Sequence, residues 1–533
     1  MHPSRQAYVE DAEPEDSKMS GLLDLADVPV DHDHFMPNLS GANPEKASAI
    51  LAQFNRKRLA ATIAVPTDDK RVRARLREVG EPITLFGENA QDRRDRLREL
   101  LTQQAEAGDD DDVDMEDGMG NGDEPNEEYY TEGTNELLEA RKEMARFSLP
   151  RSKKRLGYQK VESTITLRSH VKHRKAVREW LSTIDLFGSQ IAAERPLAAL
   201  EFSPNGETIA VGSWGGDVQL LDLPNLNKKQ VFKGHHDIVS GLAWAPGATI
   251  AASNVRAEDV NLATGGGDGT INLWSLVQST PLATLSGHES RVSAVQFHPS
   301  SKYLASASYD GTWRLWDVKT TTELLLQEGH SREVHSLSMN EDGSLIATGG
   351  LDSIGRVWDL RSGRIVMYLD SHMGPIYALD WSTDGYRVLS GSGDGFVKCW
   401  DVRAVKEQAN IGAHTGGVTS IRWFQGRDGP HSLFTKDDGS PGLGRDAPDV
   451  DKSGDPLPKV SGTFVVTAGL DHTVKIFSAD DWSLCKTLKA HVGNVTGADV
   501  TNDGRWIASS GRDRTVKLWG RPDMDSIYDN PME

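Results

Sequence analysis

Histidine, aspartate and tryptophan recur in this chain at fixed intervals. His288, His330, His372 and His414 are each 42 residues apart. Asp310, Asp352 and Asp394 keep the same step, each 22 residues after a histidine and six before Trp316, Trp358 or Trp400. His235 with Asp268 and Trp274, His414 with Asp471, and His491 with Asp513 and Trp519 extend the series. A His–Asp pair is the oriented base of many catalytic sites. A reaction centre occurs once, however, and this arrangement occurs six times. Repetition points to a structural role, in which buried polar groups pair with one another. Other chemistry-bearing stretches also read plainly. The glycines of GGGDG (265–269) have no following helix to present to a phosphate. DHDH (31–34) lies in an acidic tail, and His170 and His173 have no cysteine or carboxylate at metal-binding spacing. No nucleophile stands beside a base. The expectation is a protein that is not an enzyme, with no catalytic residue, metal or cofactor.

The elements that position these residues form a repeat. GHESRVSAVQFHPSSKYLASASYDGTWRLWD (287–317) recurs from 329 and again from 371. Each unit holds runs of alternating apolar residues (VSAVQF, YLASAS, TWRLWD) separated by turn residues, and a further run leads to the next unit. That pattern predicts four short antiparallel strands. In length, GH start and WD end the unit resembles the WD40 repeat. The resemblance implies an all-β seven-bladed propeller in which each GH histidine, turn aspartate, strand Ser/Thr and WD tryptophan share a hydrogen-bonded network. The first unit is degenerate, with Gly215 at the aspartate and Leu221 at the tryptophan. Two units are longer: His235 to Asp268 spans 33 residues, and His414 to Asp471 spans 57. The second insertion, 425–461, is rich in Gly, Pro and Asp and is expected to be a mobile loop. The last unit lacks an outer strand after Trp519, and Thr183–Ile191 is the expected replacement, which would hide a sheet edge. Residues beside the turn aspartates should gather on one face as a partner-binding surface: Trp214, Tyr309, Leu351, Leu470 and Arg512, with Arg291 and Arg332 nearby.

The formal charge of −20 over 533 residues argues against a generic nucleic-acid binder. The charge is uneven. Residues 106–128 hold twelve acids and no base, whereas 134–180 hold thirteen Lys/Arg against five Asp/Glu. Separate partners for separate segments follow. Two cysteines give no disulfide framework, the N-terminus lacks a signal-peptide core, and no run of about 18 apolar residues exists to span a bilayer. A soluble intracellular protein is expected.

Upstream of the propeller, residues 1–45 read as a disordered acidic tail and 46–105 as a helical segment. Residues 106–133 read as an acidic linker and 134–182 as a basic helical segment. The propeller spans 183–525 and a short tail spans 526–533. The first helical patch runs from about Pro44 to Ala61. In the next, Val72, Leu76 and Val79 share one helix face, Gly80 and Pro82 end the helix, and Ile83, Leu85 and Phe86 form an apolar knot before Gly87. A second helix follows from about Asn89, with Leu97, Leu100 and Leu101 as its apolar positions and Asp92–Arg96 as an i,i+4 pair. About 35 residues cannot bury enough surface to fold alone. This hairpin must dock on the propeller or on another protein.

GEPITLFGE followed by DRRDRLREL resembles the splicing factor motif of pre-mRNA processing proteins. With the WD repeats, and with EEYYTEGTNELLEARKEMARFSLPRSKKRLGYQK (127–160) and GSQIAAERPLAALEFSPNG (188–206), the chain is similar to the WD-repeat subunit of the spliceosomal U4/U6 small nuclear ribonucleoprotein, the 60 kDa pre-mRNA processing factor family. The resemblance implies a nuclear scaffold of the U4/U6 snRNP and the U4/U6·U5 tri-snRNP. Its partners would be other splicing proteins, among them the third pre-mRNA processing factor and, in some members, a cyclophilin. It would meet U4/U6 small nuclear RNA directly or indirectly, and no membrane or small-molecule substrate. The motif residues Gly80, Pro82, Leu85, Phe86, Gly87, Arg96 and Leu97 become expected partner contacts. In the basic segment Arg151, Lys153, Lys154, Arg155, Lys172, Arg174 and Lys175 are candidates for RNA or nuclear-import contact, or equally a solvated helix face. The alternative class is a substrate receptor of a cullin–RING ubiquitin ligase, suggested by WDxR at Trp358–Arg361 and Trp400–Arg403.

Overall fold

The computed structural model describes residues 65–66, 69–79, 81–83, 88–108, 133–250, 253, 255–431, 433–435, 441–443, 456–523 and 525–528. The expected helix at 44–61, the Thr67–Asp68 helix start, the motif residues Gly80, Leu85, Phe86 and Gly87, and most of the acidic run lie outside them.

Seven four-stranded antiparallel sheets follow one another along the chain. Their first strands are Leu197–Phe202, Val239–Trp244, Val292–Phe297, Val334–Met339, Ile376–Trp381, Val418–Trp423 and Val495–Val500. Burial falls from second strand to fourth. Second strands such as Tyr303–Ser308, Arg387–Ser392 and Trp506–Gly511 are buried at every position, because neighbouring blades cover both faces. The outer strand Lys406–Gly412 alternates with solvent. This explains why YLASAS and WIASSG carry no charged residue and mostly small ones, with the buried serines hydrogen-bonded, while outer strands carry Lys, Glu and Gln.

The seventh blade is completed from upstream. Asp185–Ile191 pairs antiparallel with Thr515–Gly520, in register from Asp185↔Gly520 to Ile191↔Thr515. Phe187 packs edge-on against Trp506, with centroids 4.8 Å apart.

Among the described residues four helices precede that strand: α1 (Asp69–Glu78), α2 (Ala90–Gly108), α3 (Asn135–Glu162) and α4 (Leu167–Ser182). Val72, Leu76 and Leu97 are fully buried in one small cluster with Val65, and Leu100 and Leu101 flank it, so α1 and α2 form a hairpin. The end of α1 is closed by Glu81 N–H donating to Leu76 O (3.0 Å), the six-to-one bond of a Schellman turn. The expected Asp92–Arg96 pair does not form. Asp92 accepts from the Asn89 backbone N–H (3.1 Å) and caps the helix, while Arg96 turns back to Glu88 (2.7 and 3.1 Å) and Pro82 O (2.9 Å). A bidentate pair across the turn wins over an exposed i,i+4 pair.

α3 starts at Thr134, whose hydroxyl accepts from Leu137 N–H, and it contains Pro150 in its interior. α4 buries Val177, Trp180 and Leu181 against the sixth and seventh blades and feeds into the closing strand.

The insertion at 425–461 differs from a mobile loop at both ends. Asp428 accepts from the backbone N–H of Val460 and Ser461 (2.5 and 2.9 Å), the His431 ring lies 3.2 Å from Asp342, and Lys459 bonds Asp384 (2.9 Å). The C-terminal tail is likewise anchored in part: Ser526 and Ile527 are buried, and the Tyr528 hydroxyl donates to Asp428 (3.1 Å). Charged residues within the insertion reach buried loop acids, a gain that overall composition does not display.

Candidate functional site

In five blades the histidine, aspartate, hydroxyl and tryptophan join as one network. In the third blade His288 Nδ1 lies 2.8 Å from Asp310, Nε2 lies 2.7 Å from Ser306 Oγ, and Trp316 Nε1–H donates to the same hydroxyl at 2.8 Å. His235–Thr264–Trp274, His330–Thr348–Trp358, His372–Ser390–Trp400 and His491–Ser509–Trp519 repeat this geometry. The sixth blade keeps His414, Asp471 and Thr467 but has Phe477 where tryptophan stands elsewhere. Since indole N–H only donates, the hydroxyl accepts there and donates to His Nε2, leaving Nδ1–H for the aspartate. Each aspartate also caps its turn, as Asp310 does for Thr312 N–H (2.9 Å). Burial lowers the pKa of His235, His330, His414 and His491. Burial would raise Asp310 and Asp394, but the histidine and turn hydrogen bonds outweigh it and hold both at about 2. Oriented and inward-facing, these histidines are fasteners.

On the face that carries these turns, Arg512 stacks over Trp214 (5.4 Å) and Arg291 over Tyr309 (5.4 Å). Tyr309, His335 and Tyr377 continue as a chain of ring contacts. Leu351 and Leu470 are partly buried beside their turns. Arg332 is already engaged: it pairs with Asp95 of α2 at 2.8 Å. Gln91 Nε2 donates to Glu333 (3.0 Å), and Arg71 lies 3.7 Å from Glu328. The α1–α2 hairpin thus sits on the third and fourth blades. Leu97 is buried inside it and Arg96 braces its turn, so neither side chain is available as the expected partner contact. A charged, nearly neutral hairpin suits a polar rim better than an apolar surface.

α3 crosses the opposite face, over the loops between first and second strands. Arg151 donates twice to Glu341 O (3.1 and 2.8 Å). Arg155 bonds Asp342 (2.9 Å) and Asp384 O (2.9 Å). Tyr158 hydroxyl donates to Asp428 O (3.3 Å), and Glu143 meets Lys302 and Tyr303. On α4, Arg174 donates to Thr463 O (2.7 Å) and pairs with Asp480. Arg151, Arg155 and Arg174 therefore face the propeller rather than RNA, because the loops beneath offer carboxylates and free carbonyls. Lys153, Lys172 and Lys175 are exposed, and Lys154 is half-buried.

The central channel holds residues that the sequence reading passed over. In five of the seven first strands the penultimate residue is a long polar or charged one that lines the channel: Glu201, Gln296, Asp380, Arg422 and Asp499. Four of them accept from a backbone N–H on the first strand of the next blade around the ring. The pairs are Glu201 with Trp244 (3.2 Å), Gln296 with Met339 (2.7 Å), Asp380 with Trp423 (2.6 Å) and Asp499 with Phe202 (2.7 Å). The last bond closes the seventh blade on the first. Arg422 lies 3.3 Å from Glu201 and 3.6 Å from Asp499, in a cavity of about 320 Å³. A polar residue at the same place in otherwise apolar strands (LEF, LDW, IRW, ADV) was the available signal.

Burial raises Glu201 to about 8 and Asp380 to about 6, with Arg422 opposing both. A carboxyl whose folded pKa is raised contributes most stability below its unfolded pKa and loses it as pH rises through the folded value. Glu201→Gln should therefore gain melting temperature relative to the parent progressively from about pH 4.5 to pH 8. Thermal melts across that range check it, and a pH-independent difference would contradict it.

Comparison with known proteins adds to this geometry. The family described as WD domain, G-beta repeat matches residues 226–275, 279–317, 321–359, 363–401 and 482–520. The family described as pre-mRNA processing factor 4 (PRP4) like matches residues 72–100, the span from Val72 to Leu100 that builds the hairpin core. The chain carries a PRP4-like motif on a WD40 propeller. The WD matches pass over the first blade, which lacks aspartate and tryptophan, and the sixth, which is split by the insertion and carries Phe477. The chain is 42% identical over 270 residues to an uncharacterized WD repeat-containing protein of Schizosaccharomyces pombe, covering 51% of this chain and 57% of that protein. It is 37% identical over 208 residues to the U4/U6 small nuclear ribonucleoprotein Prp4 of Homo sapiens, covering 39% and 40%. It is 33% identical over 300 residues to the U4/U6 small nuclear ribonucleoprotein PRP4 of Saccharomyces cerevisiae, covering 54% and 60%. The chain thus spans between two-fifths and three-fifths of the length of these relatives. The PRP4-like motif is the part that separates it from other WD40 propellers.

Proposed function

We propose that this protein is a structural scaffold of the U4/U6 snRNP and the U4/U6·U5 tri-snRNP in the nucleus, acting in pre-mRNA splicing without catalysing a reaction. The observation that carries the reading is the PRP4-like motif folded as a hairpin on the His/Asp face of the propeller. Relatives bearing the name U4/U6 small nuclear ribonucleoprotein Prp4 support it. The remaining surface of that face, around Trp214–Arg512 and Tyr309–Arg291, offers paired aromatic and arginine groups of the kind that anchor protein partners. The third pre-mRNA processing factor and a cyclophilin are the expected partners, with U4/U6 RNA in the same particle.

The ubiquitin-ligase reading gains nothing from the geometry. Arg361 folds back on Asp359 (3.0 and 3.1 Å), and Arg403 lies over its own blade's Tyr386 ring, 3.3 Å from the centroid. Affinity purification of the full chain from nuclear extract should recover U4 and U6 RNAs with splicing proteins. Recovery of a cullin adaptor without those RNAs would overturn the proposal.

A further inference from the structure

Once α3 is seated, its outer side remains uncovered among the described residues, and its composition is unusual for a solvated face. Leu138, Leu149 and Leu156 are 51%, 59% and 52% exposed. They are 11 and seven residues apart. At about 100° per residue these steps return to within roughly 20° of the same direction, giving one straight apolar line about 27 Å long. Lys142, Arg146, Lys153 and Lys160 lie along the same exposed side. They are rotated roughly 40–80° from that line, always in one sense. Single exposed leucines are ordinary on a protein surface. Three in one line on a helix fixed rigidly from below are not, because nothing lets them turn inward: Met144, Ser148 and Tyr158 hold the opposite side of the helix buried. Pro150, on the exposed side, lacks the N–H that would bond Arg146 O, so that carbonyl has no i+4 donor.

We infer that this side of α3 docks an amphipathic helix of a partner protein, with apolar residues on the leucine line and Asp or Glu beside them facing Lys142, Arg146, Lys153 and Lys160. Charge complementarity selects the acidic partner, and the leucines select a protein over a nucleic acid. Phosphates are bound by cations alone, and a phosphate-binding helix has no use for a leucine line. The acidic run at 106–128 of this chain matches the charge, but its large apolar residues are only Val113, Met115 and Met119, with Gly118, Gly120 and Gly122 beside them, a poor match for an amphipathic helix along a line of about 27 Å. This inference does not depend on which particle the protein joins.

The test places benzoylphenylalanine at Leu149, and separately at Leu156, in the full chain. After irradiation in nuclear extract, the cross-linked peptides are sequenced. The expected product is a helix-forming segment of another protein with Asp or Glu flanking heptad-spaced apolar residues. Leu149→Gln with Leu156→Gln should lower recovery of that protein tenfold or more without shifting the melting temperature, since both side chains are more than half exposed. Lys142→Gln with Lys153→Gln should give a smaller loss that vanishes at high salt. Cross-links to RNA, to residues 106–128 of the same chain, to a segment without acids, or to nothing would each overturn the inference.

Discussion

Asp352→Ala should be the most damaging single substitution among the turn aspartates. Its carboxylate is fully buried, whereas that of Asp268 is 19% exposed and 3.4 Å from its histidine. Asp352 lies 3.0 Å from His330 and 3.1 Å from Arg356, and the Arg356 guanidinium is itself almost fully buried. At the position of Arg356 the other blades place Gln219, Asn272 or a cation held differently: Lys475 lies 3.8 Å from its turn aspartate Asp471 and donates to Ala413 O (2.6 Å), and Lys517 donates to Ser189 (3.2 Å). Arg314 has Glu323 (2.5 Å) and Lys398 has Glu407 (3.0 Å). Arg356 has Asp352. Removing the aspartate leaves a buried guanidinium uncompensated, which costs about 3–5 kcal/mol, whereas Asp268→Ala removes bonds to His235, His236 N–H and Thr270 at a partly exposed turn where water can replace them, and costs about 1–2 kcal/mol. Burial pushes Asp352 up, but His330 and Arg356 together hold its pKa well below the ordinary range, consistent with a carboxylate that stays charged. Arg98 of α2 feels the charges of both Asp352 and Arg356, so the same substitution should loosen the PRP4-like hairpin. Denaturant midpoints for the two variants, with limited proteolysis of residues 65–108, provide the measurement. Asp352→Ala combined with Arg356→Leu should recover part of the loss, because the orphaned charge is gone. Equal midpoints for Asp352→Ala and Asp268→Ala would contradict the argument.

The contrast between these two aspartates marks what the sequence can and cannot convey. Position in the repeat is periodic, so the blade count is legible from spacing, while the His–Asp–Ser/Thr–Trp partnership is what the resemblance to WD40 repeats implies and the closing strand follows from the missing outer strand after Trp519. Burial is not periodic in the same way. It depends on what lands on the blade, and here α2 lands on Asp352 and not on Asp268. The same limit governs the basic segment. Thirteen cations between 134 and 180 look alike in a row of letters. Arg151, Arg155 and Arg174 turn inward because Glu341 O, Asp342, Asp384 O, Thr463 O and Asp480 lie along the helices' path. Those acceptors are 187 to 306 residues away in the chain, and only the folded ring brings them there. The channel acids were hidden for a different reason: each looks like a single polar lapse in an apolar strand, and their meaning appears only when the lapses are stacked by repeat.

A chain beginning at residue 193 should fail as a soluble propeller, whereas one beginning at residue 133 should fold. Both keep every residue of the six intact blades. The shorter one loses Asp185–Ile191, which exposes the full edge of Thr515–Gly520 as an unpaired template for other strands. It also uncovers Trp506 by removing Phe187. Loss of α4 strips Val177, Trp180, Leu181 and Ile184 from the cluster that includes Phe424, Phe464 and Trp519. Four buried apolar side chains of this size contribute about 1.5–3 kcal/mol each, a sum comparable to the whole stability of an ordinary domain. The longer chain retains α3, α4 and the closing strand and, among the described elements, loses α1 and α2, which meet the propeller through polar contacts such as Arg332–Asp95, Gln91–Glu333 and Arg71–Glu328 and through α2 over the Asp352 turn. Surface pairs of this kind are worth about 0–1 kcal/mol each, so the propeller should survive without them. Size-exclusion chromatography and thermal melts separate the cases: aggregation from residue 193, and a monomer within a few degrees of the parent from residue 133. A well-folded monomer from residue 193 would show that the ring closes without its upstream strand. The helical extension would then be an appendage, and its union with the propeller would not be a requirement of the fold.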